Sequence, residues 1–198
     1  MVAIFCSTYG QELPTIGEIF DFKIGDEFHY KAIVSGVPPH ADRLKIINRN
    51  NDTINNTIKF VRQWDNYSTK YEPLPEPHLI YRSEQYIDEL LVEDIDSTIE
   101  WYIFPDRIST ILEDSSFHLN VDSGNYEDLC NSFTYSFNWT YSSLPGHGDW
   151  YEQLFVKGLG RISTYVMYEG TMAEMGSKMF YYNKSDSTCG IPDTTIVT

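Results

Sequence analysis

The sharpest pattern in the chain is an unbroken alternation of Phe133, Tyr135, Phe137, Trp139 and Tyr141 with Thr134, Ser136, Asn138 and Thr140. On a helix these rings would scatter round the cylinder, whereas a pleated strand sets them all on one face, so the spacing predicts a strand over 133–141. A second alternation puts Phe28, Tyr30, Ala32 and Val34 opposite His29, Lys31 and Ser35, with Gly25-Asp26 and Gly36 at its ends. Further strands are predicted over 43–48 and 57–64, with the Asn-rich 48–56 as a hairpin loop between them. Others follow over 98–104, stopped by Pro105, and over 150–156, 160–168 and 178–182.

Some segments are less decided. Residues 86–94 fit a short helix through Ile87, Leu90, Leu91 and Asp94, or a strand edge through Leu91 and Val92. Pro73, Pro75 and Pro77 each remove a backbone donor, which predicts an exposed extended connection over 71–78 joining two halves of a sheet or two domains. Leu144 to Gly148 reads as a turn, and Gly158 and Gly160 as a bulge or close approach at a barrel bend, since no third glycine opens a helix as a dinucleotide loop needs. About eight short strands imply an all-β fold, an antiparallel meander forming a barrel, half-barrel or sandwich with at most one or two short helices.

Composition agrees with a sheet: 15 Tyr, 11 Phe and 4 Trp are far more aromatic residues than linkers carry. At 198 residues, one β-rich domain over 11–198 is expected. The 29 acidic against 14 basic residues give a net charge of −15, so phosphate backbones and anionic lipid surfaces repel the chain, and nucleic acid is excluded as a partner. No apolar run approaches the roughly 18 residues of a membrane-spanning helix.

Val2 to Phe5 is apolar and Cys6 to Gln11 small and polar, as at the end of a signal peptide, but four apolar residues fall short of the roughly 7 to 15 that a complete signal needs. Residues 1–10 are therefore expected to be the remnant of a signal peptide cleaved near Gly10, or else a short tail. If Cys6 leaves with the signal, Cys130 and Cys189 form an even pair in an oxidising compartment, and a disulfide is expected; two buried free thiols are the alternative. No spacing of cysteines and histidines suggests zinc, and no motif calls for a cofactor.

Three constellations could carry chemistry. His147, Asp149 and Glu152 lie beside Trp150 and Tyr151, a mixture of carboxylates and rings that suits sugar handling and equally suits an exposed turn. Glycoside hydrolysis needs two carboxyls roughly 5 to 9 Å apart, which makes Asp149 and Glu152 the catalytic candidates. Asp122, Asn125, Glu127 and Asp128 gather oxygen ligands round Gly124 without the EF-hand spacing, as a calcium loop or a solvated acidic turn would. Tyr135, Trp139, Tyr141 and Trp150 are candidates for stacking on a ligand, against the plainer reading of the stripe as core. His29, His40, His78, His118 and His147 show no ligand spacing, and the sequons at Asn51, Asn55, Asn66, Asn138 and Asn183 depend on the host.

Three further pieces, in this order, carry a resemblance. Phe22-Lys23-Ile24-Gly25-Asp26-Glu27-Phe28-His29-Tyr30, then Phe155 to Ile162 with its glycine-leucine-glycine, then Lys178 to Pro192 resemble the opening, late strand and closing piece of a group of secreted bacterial β-rich domains that precede type IX secretion sorting tails. The likeness touches both ends of the domain and leaves the middle uncovered. It implies export and a β-rich fold and supplies no catalytic residues; no sorting tail follows up to Thr198. The expectation is an exported, non-enzymatic binding or structural module at or outside the cell surface, with a glycan or a cell-surface protein as partner. The alternatives are a secreted carbohydrate-active hydrolase and a lipocalin-like carrier of an apolar ligand.

Overall fold

The computed structural model describes residues 13–34, 41–72, 78–99, 117–126, 129–130, 132–144, 147–168 and 173–192. Within these strands, the backbone alone is described at 33–34, 67–72, 78–83, 117–122, 125–126, 139–144, 147–149, 168 and 173–174. A four-residue helix, α1 (Ile16–Ile19), precedes β1 (Glu27–Val34), β2 (Ala41–Asp52), β3 (Thr57–Glu72), β4 (His78–Val92), β5 (Phe117–Tyr126), β6 (Ser132–Leu144), β7 (His147–Val156), β8 (Gly160–Tyr168), β9 (Ala173–Asn183) and β10 (Thr188–Gly190). All pairings between these strands are antiparallel, and they make one 10-stranded sheet in the order β4-β3-β2-β1-β9-β8-β7-β6-β5, with β10 added to β9. The expected all-β fold is what forms.

Two hydrogen bonds show that this open sheet curls. Gly17 donates its backbone N–H to Ile95 O at 2.8 Å, just past β4, and the next residue, Glu18, accepts at its carbonyl from Gly158 N, also at 2.8 Å, in the turn between β7 and β8. From β4 to β8 is five inter-strand steps, about 24 Å on a flat sheet. Two consecutive residues cannot span that distance, so the sheet wraps the N-terminal segment at this end. Among the three layouts expected, this is a half-barrel.

The wrapped segment supplies the plug. Thr15 caps α1 through a capping box, its Oγ1 accepting from Glu18 N while Glu18 Oε2 accepts from Thr15 N. Ile16, Ile19, Phe20 and Phe22 are buried in one cluster with Phe28, Ile46, Phe60, Phe137, Phe155 and Ile162. Phe22 sits 5.1 Å from the Phe28 ring and 5.3 Å from Phe60, and a Cβ at Gly160 would come within 2.7 Å of Phe22 Cζ. That close approach is the one expected of the glycine pair, but residues 157–159 form a turn and Gly160, at φ 71°, opens β8.

Several boundaries differ from those the sequence predicts. β2 and β3 extend well into the Asn-rich stretch, leaving a turn of only Thr53 to Asn56, because paired backbone satisfies its donors whatever the side chains are. Residues 86–92 are strand, paired with β3 without a break. Asp122 and Asn125 belong to β5, opposite Ser136 and Phe133 of β6, and so lie in a ladder rather than a loop. Thr98 forms a single bridge to Thr15, and the rest of the predicted strand over 98–104 lies outside the described residues from 100 onward. The signal remnant over 1–10 also lies outside them.

Candidate functional site

Two clefts open at the plugged end of the half-barrel, on either side of Lys157. The first, about 420 Å³, is lined by Ser132, Phe133 and Tyr135 of β6, by Val156, Lys157 and Leu159 at the β7–β8 turn, and by Tyr182, Lys184, Asp186 and Ser187 at the β9–β10 hairpin. The second, about 600 Å³, runs along the plug between Glu18, Asp21, Arg49, Asp52, Asp96 and Lys157. Both fall in the size range of small-ligand sites.

The aromatic cleft is held by covalent and ionic ties. Cys130, just before β6, is joined to Cys189 in β10, with Cα atoms 6.0 Å apart. The disulfide expected from the cysteine count is present, and it links the β6 rim to the hairpin rim. Ser132 Oγ donates to Leu129 O at 2.6 Å, fixing the chain as it enters β6. Across the floor, Lys184 Nζ donates to Gly158 O at 2.6 Å and to Asp21 O at 3.2 Å and lies 3.4 Å from Asp26 Oδ2. Asp26 Oδ2 also accepts from Lys23 N at 2.8 Å. One ammonium thus joins the hairpin, the β7–β8 turn and the plug.

Alternation explains the rings. Phe133, Tyr135 and Phe137 share one face of β6; Phe137 is fully buried, Tyr135 is 5% exposed and Phe133 is 37% exposed. Phe133 meets Tyr135 edge to face at 5.4 Å, and Phe137 meets Phe155 at 5.8 Å. The stripe passes from core to surface at the cleft, where Phe133 and Tyr182 offer apolar faces beside the polar tips of Lys157, Asp186 and the serines. Asp186 lies 3.7 Å from Lys23, whose charge, ahead of other causes, holds its carboxyl below the usual range. Lys157 donates to Glu18 Oε1 at 2.9 Å, and that bond is the chief reason the Glu18 carboxyl is lowered.

Of the remaining candidate residues, Trp150 and Glu152 have described side chains, and neither lines this cleft. The side chains of Trp139, Tyr141, Asp149, Asp122 and Asn125, and all of Glu127 and Asp128, lie outside the described residues. Trp150 meets Tyr165 edge to face at 5.4 Å, six residues back along β7 from Val156 at the aromatic cleft. Glu152 is half-buried in β7, and desolvation raises its carboxyl above the ordinary value. Among the described residues, no group of three or more His, Cys, Asp and Glu could hold a metal ion, and no helix is long and apolar enough to cross a membrane.

A polar row across five strands has no counterpart in the sequence pattern. Tyr181, His29, Arg43, Asp65 and Gln85 stand opposite one another in successive pairings from β9 to β4. His29 is fully buried, 4.6 Å from the Tyr181 ring, with Nε2 2.8 Å from Glu27 Oε1. Arg43 donates to Asp65 from Nε at 2.8 Å and from Nη2 at 2.6 Å, and Gln85 donates to its other oxygen at 2.6 Å. Burial pushes the Asp65 carboxyl up, but the bonds from Gln85 and Arg43 outweigh it and leave the carboxyl lowered.

No protein-family model matches the chain, and no curated protein matches it. Two solved structures align with most of the chain. One is a Bacteroides fragilis protein described as exported and as having a YmcC-like fold, at 6% identity and TM-score 0.44, with 84% of this chain and 99% of the other covered. The second is a Parabacteroides distasonis protein described as a lipoprotein, at 6% identity and TM-score 0.45, with 87% and 100% covered. Both likenesses are distant.

Proposed function

We propose that the chain is an exported, non-enzymatic binding module that takes a glycan into the cleft between β6, the β7–β8 turn and the β9–β10 hairpin. The observation that carries this reading is the Cys130–Cys189 bridge across the rims of that cleft. A disulfide persists in oxidising compartments, which supports export. Its position preorganises rings at Phe133 and Tyr182, which suit the C–H faces of a sugar, beside hydroxyl-binding groups at Lys157, Asp186, Ser132 and Ser187.

The test is a glycan array with the oxidised protein, followed by calorimetry on any hit. Phe133→Ala and Tyr182→Ala should each weaken binding about three- to tenfold, the worth of one ring contact. A blank array, or a hit whose affinity ignores both substitutions, overturns the reading. One observation favours the hydrolase instead: the raised carboxyl of Glu152 suits a general acid. Release of reducing sugar ends that disappears in Glu152→Gln would establish that alternative.

A further inference from the structure

We propose that the outer edge of β4 receives an extended, basic peptide segment of a partner protein as an added strand. Among the described residues β4 pairs on one side only, with β3, and this pairing runs without a register shift from Ile58↔Val92 to Glu72↔His78. Natural edges are usually blunted by bulges, prolines or lysines. From Glu84 to Val92 this one has none of the three, and it exposes Tyr86 at 45%, Ile87 at 63% and Leu91 at 52%. Ile87 and Leu91 share one face of the strand and Tyr86 lies on the other, so an added strand would find apolar surface on both sides.

Charge chooses the occupant. From Glu84 to Asp96 the chain carries Glu84, Asp88, Glu89, Glu93, Asp94 and Asp96 and no lysine or arginine. Arg62 pairs with Asp88 and Lys59 with Glu89, which leaves as surplus Glu84 on the strand and Glu93, Asp94 and Asp96 just past its end. A second copy would bring the same acids and no basic residue to the seam, and antiparallel registers centred on Tyr86 or on Asp88 would set Glu84 against Asp88 or Asp88 against itself. A strand alternating apolar and basic residues meets no such repulsion.

The experiment uses the intact oxidised protein and two labelled nine-residue peptides, one alternating valine with lysine and its twin alternating valine with glutamate. Anisotropy gives affinity at low and high salt, and hydrogen exchange locates binding. The lysine peptide is expected to bind at least tenfold tighter than its twin, to weaken as salt rises, and to slow amide exchange within 84–92. Ile87→Lys with Leu91→Lys should weaken it at least tenfold while the melting temperature stays within a few degrees, which separates lost docking from lost fold. Equal binding of both peptides, protection elsewhere, or sedimentation showing a dimer broken by Ile87→Lys overturns the proposal.

Discussion

Lys184 holds its Nζ 3.4 Å from Asp26 Oδ2 where both side chains have almost left the solvent, 10% and 1% exposed. A buried pair of this kind contributes little net stability relative to an apolar substitute, yet removing one partner strands a charge in the interior. Without the lysine, Asp26 Oδ2 would keep the Lys23 N–H, while Oδ1 has no hydrogen-bond partner among the described residues. Lys184→Met should therefore cost about 3–5 kcal/mol, read from urea unfolding. Asp26→Asn combined with Lys184→Met should cost clearly less than the two single costs added. Additive losses would mean that the lysine acts only through its carbonyl bonds to Gly158 and Asp21.

The disulfide closes a sequence separation of 59 residues between Cys130 and Cys189. On the chain-entropy account, a loop of that size stabilises by about 4 kcal/mol, because it removes open conformations from the unfolded ensemble. Cys130→Ser with Cys189→Ser should lower the urea midpoint accordingly. It should also weaken any ligand of the aromatic cleft more than it weakens binding elsewhere, because the two rims lose their tie. Unchanged cleft affinity in a folded double variant would restrict the bridge to a stabilising role.

How much of this fold is legible in the sequence varies with the kind of contact involved. The stripe from Phe133 to Tyr141 and the alternation from Phe28 to Val34 declare strands because period two needs only neighbours along the chain. β5 is hidden: its serine, glycine, asparagine and aspartate at 122–125 imitate a loop, and only the pairing with β6 makes them strand. The order in which β1 lies against β9 depends on curling, which no local pattern records. Lys184 is the extreme case, since nothing in Asn183-Lys184-Ser185 announces bonds to residues 158 and 26. The start of α1, by contrast, does carry a local signal, because the threonine and glutamate of Thr15-Ile16-Gly17-Glu18 have capping-box spacing.

Glu27 and His29 give stability a dependence on acid. The hydrogen bond from the buried His29 ring, ahead of all other causes, lowers the Glu27 carboxyl below its ordinary value. A carboxyl depressed in the folded state stabilises above its unfolded pKa, and that stability is lost as pH falls through the folded value. Glu27→Gln keeps an oxygen acceptor for His29 and loses the charge, so it should cost roughly 1 kcal/mol at pH 7, the difference between a charge-assisted and a neutral hydrogen bond. In urea titrations the two proteins should converge once both forms of the carboxyl are protonated. A gap that persists undiminished at pH 2 would assign the loss to packing.

Glu152 should behave in the opposite sense. Desolvation in β7 raises its carboxyl, so the folded state keeps a proton that the unfolded chain releases earlier as pH rises. Between the two pKa values the unfolded state binds fewer protons, and stability falls with increasing pH. Glu152→Gln retains the shape and removes the ionisation, so it should raise the melting temperature near pH 7.5 and change it little near pH 3.5. The contrast in pH is the informative part, because a packing change would shift both temperatures alike. A variant less stable at pH 7.5 than the parent would show that the ionised carboxyl has a compensating partner. The half-buried site would then be electrostatically arranged for charge, and the case for Glu152 as a proton donor to a sugar would fall with the prediction.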